Sequence, residues 1–222
     1  MPVARRSPTV ILLVRHGKTP TTGKVLPGRA KGLSLSEEGL AQARAVANRI
    51  AALAETTKAK PSNRRAFAVY ASPLERTMQT DHPISRALGL RTRSAKGLLE
   101  CDFGRWTGQE LDGLRKRPEW QAVQRLPSSF RFPGGESFAE MQLRVNSAIA
   151  DISTRHAGST VVAVSHADPI KSVLAAALGI PLDLFQRISV SPCSVSAIAY
   201  SDDGPHVLSI NSTGSLRELG IS

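Results

Sequence analysis

The sequence predicts an α/β protein, a three-layer sandwich in which helices flank a mainly parallel sheet and a small cap is inserted near the middle. Three observations carry this. The runs TVILLV (9–14), AFAVYA (66–71) and TVVAVS (160–165) are continuous and rich in β-branched residues, as strands buried on both faces are. Amphipathic helical patterns follow these runs. Twice the chain passes from strand to helix within a few residues, the grammar of parallel sheets.

After 9–14 comes a Gly-rich loop (23–32), and then Ser36 is placed to cap a helix whose first turn holds Glu37 and Glu38. Leu40, Ala43, Ala47, Ile50 and Ala54 form its apolar stripe. Ser72-Pro73-Leu74-Glu75 reads as a capping box with proline at the first helical position, so the second strand turns at once into a helix. Residues 101–135 break the alternation. They hold both tryptophans and several prolines and glycines, and they read as a cap over a site. Ser137-Phe138-Ala139-Glu140 is another capping box, opening a helix that runs towards His156. Asp168 is placed to cap the helix after 160–165, which Gly179 and Pro181 stop. Runs at 195–200 and 206–211 read as two short strands at an antiparallel edge. No linker divides the chain, which reads as one domain over 1–222.

Composition narrows the function. The 222 residues are 41% hydrophobic and 21% charged, too apolar for a disordered chain. Two cysteines, Cys101 and Cys193, make no disulfide framework and no Cys-rich zinc module. No apolar run reaches the roughly 18 residues of a membrane span, and MPVARRSP leads into a strand rather than a signal segment. The expected compartment is the cytoplasm. Against 18 acidic residues stand 29 Lys and Arg, a net charge of +11 that favours anionic partners. These cations are dispersed (Arg5–Arg6, Arg64–Arg65, Arg91 and Arg93, Arg115–Lys116–Arg117) with no interleaved aromatic set, so they read as solvated charge rather than a nucleic-acid face.

In open α/β sheets ligands bind beyond the carboxyl ends of the strands. Those exits carry Arg15-His16, Arg76 and His166. One histidine at a strand end is ordinary; two histidines and two arginines at three exits form a set. Arg76 stands in the first turn of a helix, where a cation opposes the macrodipole and an anion beside it supplies the reason. Guanidinium forks and helix N-termini grip phosphate, and a neutral imidazole held through its other nitrogen attacks phosphorus. A second, protonated histidine stabilises charge on the transferring group, and a carboxylic acid protonates the departing alkoxide. Glu100 is the candidate acid, with Asp102 its competitor. The residue types describe phosphoryl transfer through a phosphohistidine without a metal or other cofactor. A metal site from His16, His166, Glu100 and Asp102 is disfavoured by the two arginines among them. No GxxxxGK[ST] or GxGxxG loop occurs.

The stretches LVRHGKT (13–19), GLSLSEEGLAQA (32–43), YASPLERTMQT (70–80), LLECDFGRWTG (98–108), FPGGESF (132–138) and VVAVSHADPIKSVL (161–174) resemble, in order, the motifs of the histidine phosphatase superfamily, its phosphoglycerate-mutase-like branch. The resemblance is greatest to small bacterial phosphatases and phosphomutase-like proteins, the α-ribazole phosphatase type included. It implies His16 as the phosphorylated nucleophile and Arg15, Arg76 and His166 as the phosphate pocket. It also implies a phosphate donor in the Ala167 N–H and, in Glu100, an acid that then serves as base. A metal-free hydrolysis of a small phosphomonoester is the expected activity. Phosphomutase action is the alternative, and a catalytically dead basic binding protein for RNA or anionic partners is the rival from another class.

Two departures bear on the site. Thr22 stands where many members have Asn, and offers phosphate a hydroxyl. Ala167-Asp168 follows the second histidine, where Gly is common. Lys18, Lys24, Arg29 and Lys31 suggest a basic rim for a substrate with extra charge, with ordinary loop charges as the other reading. Trp106, Trp120, Phe130 and Phe132 either line the substrate's far end or pack the cap. His82, His156 and His206 read as surface or helix-end residues, and Cys101 as a buried small residue. The sequence leaves monomer or homodimer open.

Overall fold

The computed structural model describes residues 7–58 and 67–219. Arg5, Arg6, Arg64, Arg65 and the first residue of the 66–71 run lie outside them. Among the described residues one sheet has six strands: β1 (Thr9–Arg15), β2 (Phe67–Ala71), β3 (Thr92–Ser94), β4 (Thr160–Ser165), β5 (Val195–Ser201) and β6 (Gly204–Ser212). Their order is β3-β2-β4-β1-β5-β6. β4 lies parallel to both β1 and β2, β3 is parallel to β2, and β5 and β6 run antiparallel. The sheet is therefore mixed but parallel where the three apolar runs meet. The tail strands are the antiparallel pair expected, although β5 lies inside the sheet against β1 and only β6 is an edge.

Alternation along β1 sorts the layers, because successive side chains leave a strand on opposite faces. Val10, Leu12 and Val14 pack with α1 (Glu37–Lys58) and α2 (Glu75–Leu88) through Ala43, Val46, Ile50 and Ile84. Ile11 and Leu13 pack with α5 (Phe138–Arg155) and α6 (Ala167–Ala177) through Val145, Ile149, Ile170 and Val173. These are the three layers. The predicted α1 stripe needs one correction: Leu40 is exposed, and Val46 and Leu53 fill the buried face instead. Burying side chains of this size contributes about 1.5–3 kcal/mol each.

Helix entries show where pattern and structure part. The Ser137 capping box is formed: Ser137 Oγ accepts from Glu140 N–H while the Glu140 carboxylate accepts from Ser137 N–H. Ser36 Oγ accepts from Gly39 N–H, as expected. The Ser72 box is not formed; α2 starts after Leu74 with no side-chain cap. Nor does Asp168 cap α6, which starts at Ala167 with His166 as the flanking residue. The Ser72 hydroxyl has another partner in the site below, and Asp168 lies 3.5 Å from the Lys171 ammonium.

Residues 101–135 fold as short pieces, among them α3 (Leu111–Arg115) and α4 (Glu119–Arg125). They share an apolar cluster in which Phe103, Trp106, Leu114, Val123 and Phe132 meet Phe138, Met141 and Phe185. Edge-to-face ring contacts, such as Phe103 with Phe132 at 4.8 Å and Phe132 with Phe138 at 5.2 Å, set the geometry of that cluster. No helix among the described residues is long and apolar enough to cross a membrane.

Candidate active site

Parallel pairing brings the strand exits together. Arg15 lies opposite Ser165 and Ala71 opposite Val164, so His16, His166 and Ser72 leave the sheet side by side. Backbone bonds hold them there: His16 N–H donates to Ser165 O at 3.0 Å, and Ser72 N–H to Val164 O at 3.0 Å. The His16 and His166 rings meet edge-on, 5.2 Å between centroids.

His16 is buried, and its Nδ1 lies 2.7 Å from the Gly17 carbonyl. A carbonyl only accepts, so Nδ1 carries the proton and Nε2 keeps its lone pair. Burial, and then the charges of Arg76 and Arg15, push His16 down to about 3. The ring is therefore neutral at ordinary pH. Gly17 N–H in turn donates to Thr80 Oγ1 at 3.0 Å, which fixes the loop beside the ring.

His166 is wholly buried, and its Nε2 lies 2.8 Å from Ser72 Oγ. Burial first, then Arg76, His16 and Arg15, hold it well below the ordinary histidine range. The expectation was a protonated second histidine; without an anion beside it, burial and these cations favour the neutral ring. Nε2 shares a hydrogen bond with the Ser72 hydroxyl, and Nδ1 finds no partner among the described residues.

Two arginines complete the set. Arg76, at 0% exposure, spends one nitrogen on the Gly28 carbonyl (2.7 Å), and Arg15 spends one on the Val190 carbonyl (2.7 Å). Arg76 Nε and Nη1 and Arg15 Nε are buried and lack an acceptor among the described residues. Buried donors are almost always paired, so unpaired ones grouped with the His166 Nδ1 describe a cradle for an anion.

Glu100 is buried beside them, and one carboxylate oxygen accepts from Cys101 N–H at 2.9 Å. Burial, and then the Asp168 charge, raise its carboxyl from 4.5 to about 7, against the pull of Arg76 and Arg15. Asp102, the competing acid, serves the backbone: it accepts from Gly104 N–H at 3.0 Å and lies 3.6 Å from Arg29.

A pocket of about 400 Å³ opens on this cluster, lined by Arg15, His16, Thr22, Glu100 and Ala167 among the expected residues. Arg76 and His166 are fully buried and do not form its wall. Thr22 Oγ1 accepts from Thr19 N–H at 2.8 Å, so part of its capacity is spent locally. Much of the rest of the lining is apolar, with Leu26, Phe103, Leu111, Trp120, Val123 and Phe132, and Arg115, Lys171 and Asp168 add charge to the pocket. Trp120 and Phe132 thus line the pocket, whereas Trp106 is 3% exposed and packs the cluster beneath.

The basic rim is only partly as expected. Lys18 pairs with Glu38 at 2.6 Å, and Arg29 turns inward to Glu136 (2.8 Å) and the Glu100 carbonyl (2.9 Å). Lys24 and Lys31 are exposed. His156 ends α5, as expected, and its Nε2 lies 3.0 Å from the Tyr70 hydroxyl. Both cysteines are buried and free, and burial pushes Cys193 up to about 12. Among the described residues no three His, Cys, Asp or Glu side chains are grouped to hold a metal ion.

Sequence reasoning missed Ser72, Thr80, Asp168, Glu136 and Arg144 as parts of this region. The first two were legible only as a helix cap and a helix-face polar residue, and their histidine-loop contacts cross 94 and 63 residues of sequence.

The fold and these residues have relatives. Residues 11–213 match the family described as "Histidine phosphatase superfamily (branch 1)". "Phosphoserine phosphatase 1" of Hydrogenobacter thermophilus is 30% identical over 214 residues, covering 94% of this chain and 95% of that protein. A "Bifunctional protein" of Mycobacterium tuberculosis is 33% identical over 96% of this chain, which spans about half of it, 56%. Among solved structures, Bacillus stearothermophilus YhfR superposes with a TM-score of 0.80 at 24% identity, covering 93% of this chain and 98% of that one. A family match running from β1 to the end of β6, over a fold shared with YhfR, makes the chain a member of the histidine phosphatase superfamily.

Proposed function

We propose that this chain hydrolyses a small phosphomonoester in two steps through a phosphohistidine at His16. The observation that carries the reading is the cradle of buried, unpaired nitrogens on Arg15, Arg76 and His166 beside a neutral imidazole and a carboxyl raised to about 7. In the first step His16 Nε2 attacks phosphorus, the bond to the ester oxygen breaks, and that oxygen takes the Glu100 proton. In the second, the Glu100 carboxylate takes a proton from water as its oxygen attacks phosphorus, which frees His16 and inorganic phosphate. Arg15, Arg76, the His166 Nδ1–H and the N–H of Ala167 at the start of α6 hold the phosphoryl oxygens in both. Residues 101–135 act as the cap that receives the rest of the substrate, on the support of Leu111, Trp120, Val123 and Phe132 in the pocket wall. The phosphoserine phosphatase among the relatives makes phosphoserine the first ester to try.

The test is hydrolysis of p-nitrophenyl phosphate and phosphoserine, in EDTA, by wild type and His16→Ala. Wild type turns over both, and His16→Ala loses at least about a thousandfold, because a covalent nucleophile is gone. Near-normal turnover by His16→Ala removes the phosphohistidine. Inactive wild type that exchanges phosphate between phosphoglycerates assigns a mutase instead, and inactive protein retained on RNA in a salt-dependent way assigns a binding protein.

A further inference from the structure

The proposed acid, Glu100, has a carboxyl bound to the chain by one hydrogen bond, from its own neighbour Cys101 N–H, so its aim depends on where its backbone is held. That backbone is held by two arginines from distant parts of the sequence. Arg29 Nε donates to the Glu100 carbonyl at 2.9 Å, and Arg144 Nη2 approaches the same oxygen at 3.4 Å. Arg144 also spends Nη1 on the carbonyls of Gly97 (2.8 Å) and Leu99 (3.0 Å), so one guanidinium gathers the segment leading into the acid. Both arginines converge on one carboxylate. Glu136 takes two parallel bonds from Arg144, at 2.8 and 2.9 Å, and a third contact from Arg29 at 2.8 Å. It also accepts from Asp102 N–H at 3.1 Å, two residues beyond the acid, while its own N–H donates to Asp102 O at 2.9 Å.

The contact between the two segments tolerates no bulk. A Cβ on Gly135 would stand 2.2 Å from Asp102 O, and one on Gly104 2.3 Å from Pro133 O. Arg29 reaches the phosphate side as well, because the carbonyl of the preceding Gly28 is the one that accepts from Arg76. The half-buried charges form a network, and a bidentate arginine–carboxylate pair within it is directional in a way a lone surface pair is not.

We propose that Glu136, holding Arg29 and Arg144 on the Glu100 backbone, is a positioning residue for the general acid, and that Arg29 ties the acid segment to the Arg76 phosphate cradle. This rests on the reading of Glu100 as the acid. The measure is the leaving-group dependence of kcat/KM: a misplaced acid slows esters whose alkoxide needs a proton and spares nitrophenolate, which leaves without one. A merely structural role lowers both alike.

The experiment compares Glu100→Gln, Glu136→Gln and Arg29→Lys on phosphoserine and p-nitrophenyl phosphate, with folding followed by circular dichroism. Arg29→Lys keeps a cation for Glu136 but is a single point donor, unable to serve both Glu136 and the Glu100 carbonyl. Expected in kcat/KM, which reports the first step alone, are losses of about a hundredfold on phosphoserine for Glu100→Gln and about tenfold for the other two. On p-nitrophenyl phosphate Glu136→Gln and Arg29→Lys lose less than about threefold, and Glu100→Gln loses far less than on phosphoserine while its kcat falls on both esters with the base of the second step. Should Glu136→Gln not fold, Arg29→Lys decides alone. Equal losses on both esters, or none, for a folded Glu136→Gln and Arg29→Lys beside a discriminating Glu100→Gln overturn the positioning role only. Equal losses for Glu100→Gln overturn the acid assignment, and the positioning role with it.

Discussion

At the residue scale the site turns on two groups moved in opposite directions by the same burial. The histidine is neutral, and the carboxyl stays half protonated at neutral pH, because burial disfavours the charged form of each. His16 is pushed down to about 3, so the proposed nucleophile persists far into acid; the proposed acid, near 7, sets the alkaline limb. For a poor leaving group, kcat/KM is expected to be flat from about pH 5 to 6.5 and to fall about tenfold per unit well above 7, and Glu100→Gln is expected to erase that limb. A pH–rate series on phosphoserine checks it. Stability follows the same proton. Glu100 is raised above its unfolded 4.5, so the folded chain binds more protons between 4.5 and about 7, and Glu100 costs stability progressively as pH rises through that window. Glu100→Gln is therefore expected to melt higher than wild type at pH 8 and to lose that advantage at pH 4. The sequence offered Glu100 as the candidate acid, by its place and by the family resemblance, and left Asp102 as its competitor, because proximity to Cys101 N–H and burial are not written in composition. Asp102 is separated from it by what each touches: Asp102 serves the Gly104 N–H and Arg29, and Glu100 lines the pocket.

At the element scale, the loop that follows His16 is seated on the first turn of α1. Ser36 N–H donates to the Lys18 carbonyl at 2.9 Å, its hydroxyl reaches the same oxygen at 3.2 Å, and that hydroxyl accepts from Gly39 N–H. A Cβ on Gly39 would stand 2.0 Å from Lys18 O, and one on Gly17 2.6 Å from Gly39 O. Gly39→Ala, favourable by helix propensity alone, is expected to destabilise by about 1–3 kcal/mol, since backbone must move away from backbone. Gly113→Ala, inside α3 with open space where its Cβ would lie, is expected to stabilise by about 0.5–1 kcal/mol. Urea denaturation of the pair checks the contrast, and equal effects would remove the seat. Elements were the most legible level: strands and long helices followed from hydrophobic period, and Ser36 and Ser137 from capping chemistry. The errors have two causes. Ser72 reads as a cap from its local sequence, and a tertiary partner, the His166 ring, takes its hydroxyl instead. β3 was not foreseen, because three residues, TRS, carry too little period to register.

At the scale of the whole molecule, strand order makes the site. From β1 the chain crosses to β2, beyond β4, and from β4 it returns to β5, beyond β1, so the connections leave the β1–β4 pair in opposite directions and open a crevice at their carboxyl ends. Into that crevice the fold drives Arg15 and Arg76, each of which lowers the charged state of the histidines, with Arg15 doing the same to Arg76. Such a concentration of buried cations and unpaired donors is a cost the free protein carries, and an oxyanion that accepts from them relieves it. Inorganic phosphate, as product, is therefore expected to stabilise the fold by RT ln(1 + [L]/Kd), about 2.7 kcal/mol at a hundred times Kd, or several degrees in Tm for a domain of this length. Chloride at matched ionic strength is expected to give none of it, because screening alone pairs no donor. Arg76→Gln removes the fully buried fork and is expected to lose most of the phosphate-dependent shift, whatever its own Tm. Lys24→Gln, an exposed rim cation, is expected to keep it. Thermal melts of the three proteins across a phosphate series separate the two sources of affinity. A shift that survives Arg76→Gln and vanishes in Lys24→Gln would place phosphate on the +11 surface rather than in the crevice.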